Sequence, residues 1–157
     1  MHLNPAGRCP NNRGQLYLNA ATAAHYQFAL ELYLSTMRPY TQELMVWDEA
    51  KQRASFAALW KLPEVRIVAV NGREVGWLQV QESPREVHLL QFFIAPDQQG
   101  NGIGTEVLRG LLAAWRATAK PVVLTVLKNN PARRLYERLG FSVVGDSGVK
   151  YAMKLNT

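Results

Sequence analysis

The sequence predicts a single domain of the α/β (α+β) class, with about seven strands and four helices. Three observations predict it. Short apolar runs, alternating or continuous, recur at 65–70, 74–81, 86–94 and 121–127 and read as strands. Longer runs carry apolar residues at helical spacing, as Val107, Leu108, Leu111, Leu112 and Trp115 do. Turn signals separate the two kinds, among them Asn71-Gly72 and Ser83-Pro84. A chain of 157 residues is long enough to bury one sizeable core.

Taken in order, residues 1–14 are polar, with Asn, Pro and Gly, and lack the apolar centre of a signal peptide. They read as a flexible N-terminal extension, with the domain proper over 15–157. Gln15 to Ala20 alternates as a short first strand, and Thr22 is placed to cap the next helix. Tyr26, Ala29, Leu30, Tyr33 and Leu34 give that helix its stripe; Met37-Arg38-Pro39-Tyr40 is expected to break it. A second helix is expected over roughly 41–61, with an interruption at Trp47-Asp48. Val65 to Val70 and Glu74 to Gln81 form a hairpin about Asn71-Gly72, the pair that a type I′ turn favours. Glu86 to Ile94 is nearly all apolar toward its end, which implies a central strand buried on both faces. A helix over 106–117 and a strand over 121–127 follow. Asn129 or Asn130 caps the next helix, Pro131 sits in its first turn and Gly140 ends it. Phe141 to Val144 and Val149 to Leu155 close the domain as two strands.

Composition narrows the function. The single cysteine, Cys9, rules out an internal disulfide and a cysteine-based metal site, and suits a reducing, cytoplasmic location; no metal is expected. No apolar run approaches the length of a membrane span. The net charge is +6, and Arg109, Arg116, Lys120, Lys128, Arg133, Arg134 and Arg138 crowd the second half against Glu106 and Glu137. That suits an anionic ligand. No nucleic-acid motif accompanies the charge, so neither nucleic acid nor membrane is expected as a partner.

The stretch that organises the chain is Gln98-Gln99-Gly100-Asn101-Gly102-Ile103-Gly104-Thr105. It joins an apolar strand to an amphipathic helix. Glycines let backbone N–H groups approach a ligand closely, and the first helical turn leaves its N–H groups unpaired beside a partial positive charge. A pyrophosphate suits such a site. The spacing is neither that of a phosphate loop with Gly-Lys-Ser/Thr nor the dinucleotide pattern G-x-G-x-x-G.

Gln99-x-x-Gly102-x-Gly104 instead resembles motif A of the GNAT superfamily of N-acetyltransferases, Q/R-x-x-G-x-G/A. A second stretch, Asn129 to Phe141, is similar to the family's motif B, N-x-x-A-x-x-x-Y-x-x-x-G-F, through Asn129, Ala132, Tyr136, Gly140 and Phe141. From Leu16 to Leu155 the chain resembles a bacterial acetyl-CoA-dependent enzyme of that superfamily. The motifs are specific for cofactor and leave the acceptor open.

The resemblance implies a central mixed, mostly antiparallel sheet of six to seven strands with about four helices. The sheet is splayed between the fourth and fifth strands. It implies that backbone at Phe92 and Ile94 pairs with the pantetheine arm of acetyl-coenzyme A. Gln99, Gly100, Asn101, Gly102, Ile103, Gly104 and Thr105 would wrap its pyrophosphate, with Asn129 and Arg133 nearby. Tyr136 becomes the candidate acid for the leaving thiolate; from spacing alone it also suits a core tyrosine beside Ala132, Leu135 and Leu139. His88 is a candidate base, on a strand where 88, 90, 92 and 94 alternate to one side. Arg38, Tyr40 and Trp47 lie in the segment expected to shape the acceptor pocket, with Glu43, Asp48 and Glu49. The expected partners are therefore acetyl-CoA and an amine, attacking directly in a ternary complex, with a homodimer left open. The other reading is a non-catalytic acyl-CoA sensor with the same fold.

Overall fold

The structure, a computed structural model, describes residues 15–156 and the backbone of 6–9. The expected extension therefore lies largely outside the described residues. Its described part, β1 (Ala6–Cys9), pairs antiparallel with β2 (Leu16–Ala20). This strand is why the sheet has eight strands where six to seven are expected. Polar, glycine-bearing residues gave it no apolar alternation to read.

The other strands are β3 (Val65–Val70), β4 (Arg73–Glu82), β5 (Val87–Ile94), β6 (Val122–Leu127), β7 (Ser142–Asp146) and β8 (Lys150–Leu155). The sheet order is β1-β2-β3-β4-β5-β6-β8-β7. Every neighbouring pair is antiparallel except β5 and β6. The β3–β4 turn has positive φ at both Asn71 (52°) and Gly72 (81°), as the type I′ turn requires.

Four α-helices flank the sheet: α1 (Tyr26–Leu44), α2 (Glu49–Leu59), α3 (Ile103–Arg116) and α4 (Ala132–Arg138). The expected break at Pro39 does not occur; α1 runs through it. Proline removes one N–H, which strands the carbonyl four residues back, at Ser35. Ser35 is exposed, so water can serve that carbonyl, and buried Thr41 keeps the helix docked beyond the proline. The chain breaks instead at Met45, and Asp48 caps α2 by accepting from the Lys51 N–H at 3.1 Å.

Two apolar clusters hold the two faces. On one, α3 and α4 pack through Val107, Leu108, Leu112, Trp115 and Tyr136 against strand residues from β2 to β8. On the other, α1 and α2 pack against β3, β4 and β5 through Phe56, Ile67, Trp77 and Phe93. Each face takes alternate strand residues, as pleating dictates.

Two irregularities in β5 set the geometry of its C-terminal half. Gln79 pairs with Gln91 but Val80 pairs with Leu89, so Leu90 is a bulge. And β5 pairs with β6 only at Val87–Val122 and His88–Val123. Beyond those two pairs the strands part, as the resemblance implied, and leave Leu89–Ile94 facing Leu124–Leu127 across an opening.

Candidate active site

The opening between β5 and β6 is a cleft of about 480 Å³. Its walls are Leu89–Ile94 and Leu124–Leu127, its mouth the glycine-rich turn, and one side is roofed by Thr36, Met37 and Tyr40 of α1. Because the two strands do not pair here, β5 offers unpaired backbone groups to whatever enters. An extended ligand arm can take them up like an added strand.

At the mouth, Gly100 (φ 80°) and Gly102 (φ 77°) hold left-handed backbone, which a side chain would strain. Gly102 is the N-cap of α3 and has no side chain to cap it. The first intrahelical bond is Glu106 N–H to Gly102 O at 3.0 Å. The N–H groups of Ile103, Gly104 and Thr105 are therefore left for a ligand. Gly104 lies between α4 and β5: a Cβ there would stand 3.4 Å from Leu135 and 3.8 Å from Phe92, in the cleft itself. A glycine that keeps this volume open, above unpaired N–H groups, fits a pyrophosphate-bearing cofactor. The cleft lining carries Arg138 and Lys150 and, among the described residues, no carboxylate and no imidazole.

Tyr136 projects from α4 into this lining and is only 7% exposed. Burial pushes its phenol well above the ordinary tyrosine range, so it carries its proton throughout the physiological range. Phe141 packs edge-on against the ring, with centroids 5.8 Å apart. Tyr136 thus takes part in both of its expected settings, the core stripe and the cleft.

The structure brings Phe92, Ile94, Gln99, Gly100, Gly102, Ile103, Gly104, Thr105, Tyr136 and Tyr40 to one lining. Gln99 turns back on the strand end, its amide donating to the Ile94 carbonyl at 3.0 Å. That occupies one of the backbone groups assigned to the pantetheine arm. Asn101 faces a neighbouring depression beside Leu16, Val70 and Glu106.

The remaining expected residues lie elsewhere. Asn129 does not line the cleft; its amide donates to the Tyr40 carbonyl at 3.0 Å and to Glu43 Oε2 at 2.8 Å, tying the β6 end to α1. Arg133 pairs with Glu137 at 3.0 Å and lies over the Tyr151 ring. Trp47 is half-buried against the aromatic cluster of α1 and α2 and lies outside the lining. Arg38 is exposed on α1 and outside the lining. His88 is outside it too, and the bulge at Leu90 explains why. The shift of one residue breaks the alternation, so Phe92 and Ile94 pack toward α3 with Val87 and Leu89, while His88 turns to the opposite face.

Thr36, Met37, Gln91 and Lys150 line the cleft although no sequence pattern pointed to them, and Arg138, one of the basic residues that crowd the second half, lines it as well. Thr36 and Tyr40 are one helical turn apart, a relation that follows once the helix passes Pro39. Nothing in the pattern marked Gln91 or Lys150. Among the described residues no group of three metal-ligating side chains could hold a metal, and no helix is long and apolar enough to cross a membrane.

A family model described as an acetyltransferase (GNAT) domain matches residues 61–143, a span that holds β5, the glycine turn and Tyr136. A curated relative, the 5-NmdU N-acetyltransferase of Pseudomonas phage PaMx11, is 26% identical over 119 residues, covering 74% of this chain and 81% of that protein. Among solved structures, the PaiA N-acetyltransferase from Thermoplasma acidophilum in complex with coenzyme A superposes with a TM-score of 0.72 at 12% identity, over 90% of this chain and 99% of that one. Arabidopsis thaliana Naa50, in complex with the bisubstrate analogue CoA-Ac-MVNAL, does so with a TM-score of 0.62 at 16% identity, over 90% of this chain and 99% of its own. At such identities these structures speak to the fold.

Proposed function

The chain belongs to the acetyltransferase (GNAT) domain family, and from that premise we propose that it transfers the acetyl group of acetyl-CoA to a primary amine of a small molecule or peptide. The observation that carries this reading is the parting of β5 from β6 beside a glycine-capped helix N-terminus, with a buried tyrosine hydroxyl in the same cleft. Support for the cofactor comes from relatives solved with coenzyme A or an analogue of it. Support for N-acetylation comes from the name of the phage relative, which makes 5-NmdU a candidate acceptor.

Acetyl-CoA supplies an activated acyl carbonyl on a thiolate leaving group. The N–H groups of Ile103, Gly104 and Thr105 would hold its pyrophosphate, and the free edge of β5 would align its arm. Alignment lets the amine attack directly in a ternary complex. Tyr136 would donate a hydrogen bond to the sulfur as charge builds there. A phenol whose burial disfavours the phenolate is a poor source of a free proton but a persistent donor. The proton that ends on sulfur then derives from the attacking amine. Among the described residues the lining holds no carboxylate or imidazole, so the amine must arrive neutral or lose its proton to water. The rate then rises with pH along the amine's own titration, with no inflection from the protein in the neutral range.

The test is thiol release from acetyl-CoA across acceptor classes: 5-NmdU, peptide N-termini, amino acids, arylalkylamines, polyamines and aminoglycosides. Release with one class, reduced about 100- to 1,000-fold in kcat by Tyr136→Phe, is the expected result. Tight coenzyme A binding with no release from any amine would leave a sensor in place of the enzyme.

A further inference from the structure

The face of the sheet opposite α3 and α4 is only half covered. The cluster beneath α1 and α2 takes its strand residues from β3, β4 and β5, and none from β6, β7 or β8. Beyond β5 the pleat turns Val123, Thr125 and Leu127 of β6 to that side, since Val122, Leu124 and Val126 pack toward α3. Register then fixes their neighbours: Leu127 pairs with Lys150, Thr125 with Ala152 and Val123 with Lys154, which in turn pairs with Ser142. His88 joins the same row through Val123. Thr125, Ser142 and Lys150 are exposed, Val123, Ala152 and Lys154 are half-buried, and Leu127 is buried at the end that Asn129 ties to α1.

Of the residues that these strands turn to this face, Lys150 and Lys154 carry charge and none carries a carboxylate. The acids nearby are engaged elsewhere. Asp146 holds Lys128 at 2.7 Å on the opposite side of β8, Glu137 holds Arg133 at 3.0 Å, and Glu43 is held by Asn129 at 2.8 Å. Lys150 also lines the cleft, so this surface runs into it.

We propose that this face carries the acceptor as part of a polyanion, a single nucleic-acid strand whose phosphates lie on Lys150 and Lys154 while an amine-bearing base reaches into the cleft. Four residues along a strand set the two lysines roughly 13 Å apart, too far for one small anion and about two phosphate steps along an extended strand. Thr125 and Ser142 add hydroxyl donors of the kind that contact phosphate oxygens. Net charge alone did not suggest this partner; two lysines beside the cleft, on a partly uncovered face whose strand residues include no acid, do. The inference rests on the acetyl-transfer reading for its chemistry, but the surface can be tested without it.

Binding of a short fluorescent single-stranded oligodeoxynucleotide by the whole protein is the first measurement. Two phosphate contacts give a loss of about sevenfold in affinity between about 50 and 200 mM salt. The double variant Lys150→Glu/Lys154→Glu is expected to bind about tenfold more weakly or worse, with an unchanged unfolding midpoint. Arg109→Glu/Arg116→Glu alters net charge equally on an exposed part of α3 and is expected to change affinity by less than about twofold. Equal losses in the two double variants would reduce the effect to general attraction and overturn the proposal. So would an acidic peptide that binds as tightly through the same lysines, which would indicate a protein partner. The second measurement compares thiol release with an aminoalkyl base in an oligonucleotide and as a free nucleoside. A higher kcat/KM for the oligonucleotide, lost in Lys150→Glu/Lys154→Glu, supports the strand. Equal values with release intact would remove the polyanion and leave the acetyltransferase standing. Absence of release with every amine would count against the acetyl-transfer reading alone, and the binding measurement would still decide the surface.

Discussion

The two faces of the sheet are built from different materials and do different work. Beneath α3 and α4 the core is mostly aliphatic and continuous, reaching from Leu16 on β2 to Met153 on β8. Beneath α1 and α2 it is aromatic and local: Tyr26, Tyr33, Phe56, Trp60, Trp77 and Phe93 form a chain of ring contacts with centroids 5.3 to 5.7 Å apart. The first face fixes the α3 N-terminus against β5, where a shared cofactor demands a constant backbone. The second covers three strands and leaves open the rest, where the proposed acceptor surface lies. A sheet with one face fully packed and one partly bare can therefore keep its cofactor geometry while its specificity changes.

The largest expected effect tests whether the aromatic face is purely structural. Trp77 is fully buried at the centre of the ring contacts, so Trp77→Ala is expected to cost about 3–5 kcal/mol in urea unfolding. Coenzyme A affinity of the folded protein should stay within about twofold, since Trp77 faces away from the cleft mouth. Affinity falling in step with stability would show that the faces are not separable.

Gly104→Val attacks the other face. Its methyl groups would stand in the cleft between Leu135 and Phe92 and above the helix N–H groups. Coenzyme A affinity is expected to fall about 100-fold, close to 2.7 kcal/mol, measured by titration calorimetry. Stability should barely change, since valine and glycine differ little in this first helical turn. A large stability loss with normal affinity would mean that Gly104 serves packing.

Asn129 links the two faces, and its effect is correspondingly smaller. Losing its bonds to Tyr40 and Glu43 frees the α1 end from β6. Asn129→Ala is expected to weaken acceptor use by about tenfold in KM, on the order of 1–1.5 kcal/mol, with coenzyme A affinity nearly unchanged. The reverse pattern would return Asn129 to the pantetheine contact that the motif implied.

Legibility from sequence obeys the same division. The cofactor side could be read because glycine positions and a helix start are local: Gly100, Gly102 and Gly104 state their backbone needs within five residues. The mixed, mostly antiparallel sheet and the parting of β5 from β6 came with the motif pair. The opposite side, toward α1 and β8, could not be read, because it depends on non-local events. Pro39 stays in its helix because Thr41 finds a buried site on the far side. One residue of bulge at Leu90 turns His88 to the opposite face, and no residue type at that position signals it. Lys150 reaches the cleft only through its register with Leu127 across β6 and β8. Asn129 matched a motif yet bonds to residues 86 and 89 positions away, a pairing that no local pattern encodes.

The smallest expected effect contrasts the two sides of β8. Among the described residues Lys150 has no ion-pair partner on one side, whereas Lys128 is paired on the other with Asp146 at 2.7 Å and lies over the Tyr151 ring. The Lys128 hydrogen bond, then the Gly148 N–H at 2.9 Å, holds the Asp146 carboxyl below the ordinary carboxylate range. A depressed folded pKa means that the unfolded chain takes up the proton first. The contribution is then complete above the unfolded carboxylate range and disappears as pH falls through the lower folded value. Asp146 is fully exposed, so solvent and salt screen the pair and the effect is slight. The unfolding midpoint of the wild type should fall slightly more steeply between about pH 5 and pH 3 than that of Asp146→Asn, and added salt should bring the curves together. Parallel curves at low salt would show that the paired lysine contributes no more to the fold than its unpaired counterpart, and that the asymmetry of β8 matters for binding alone.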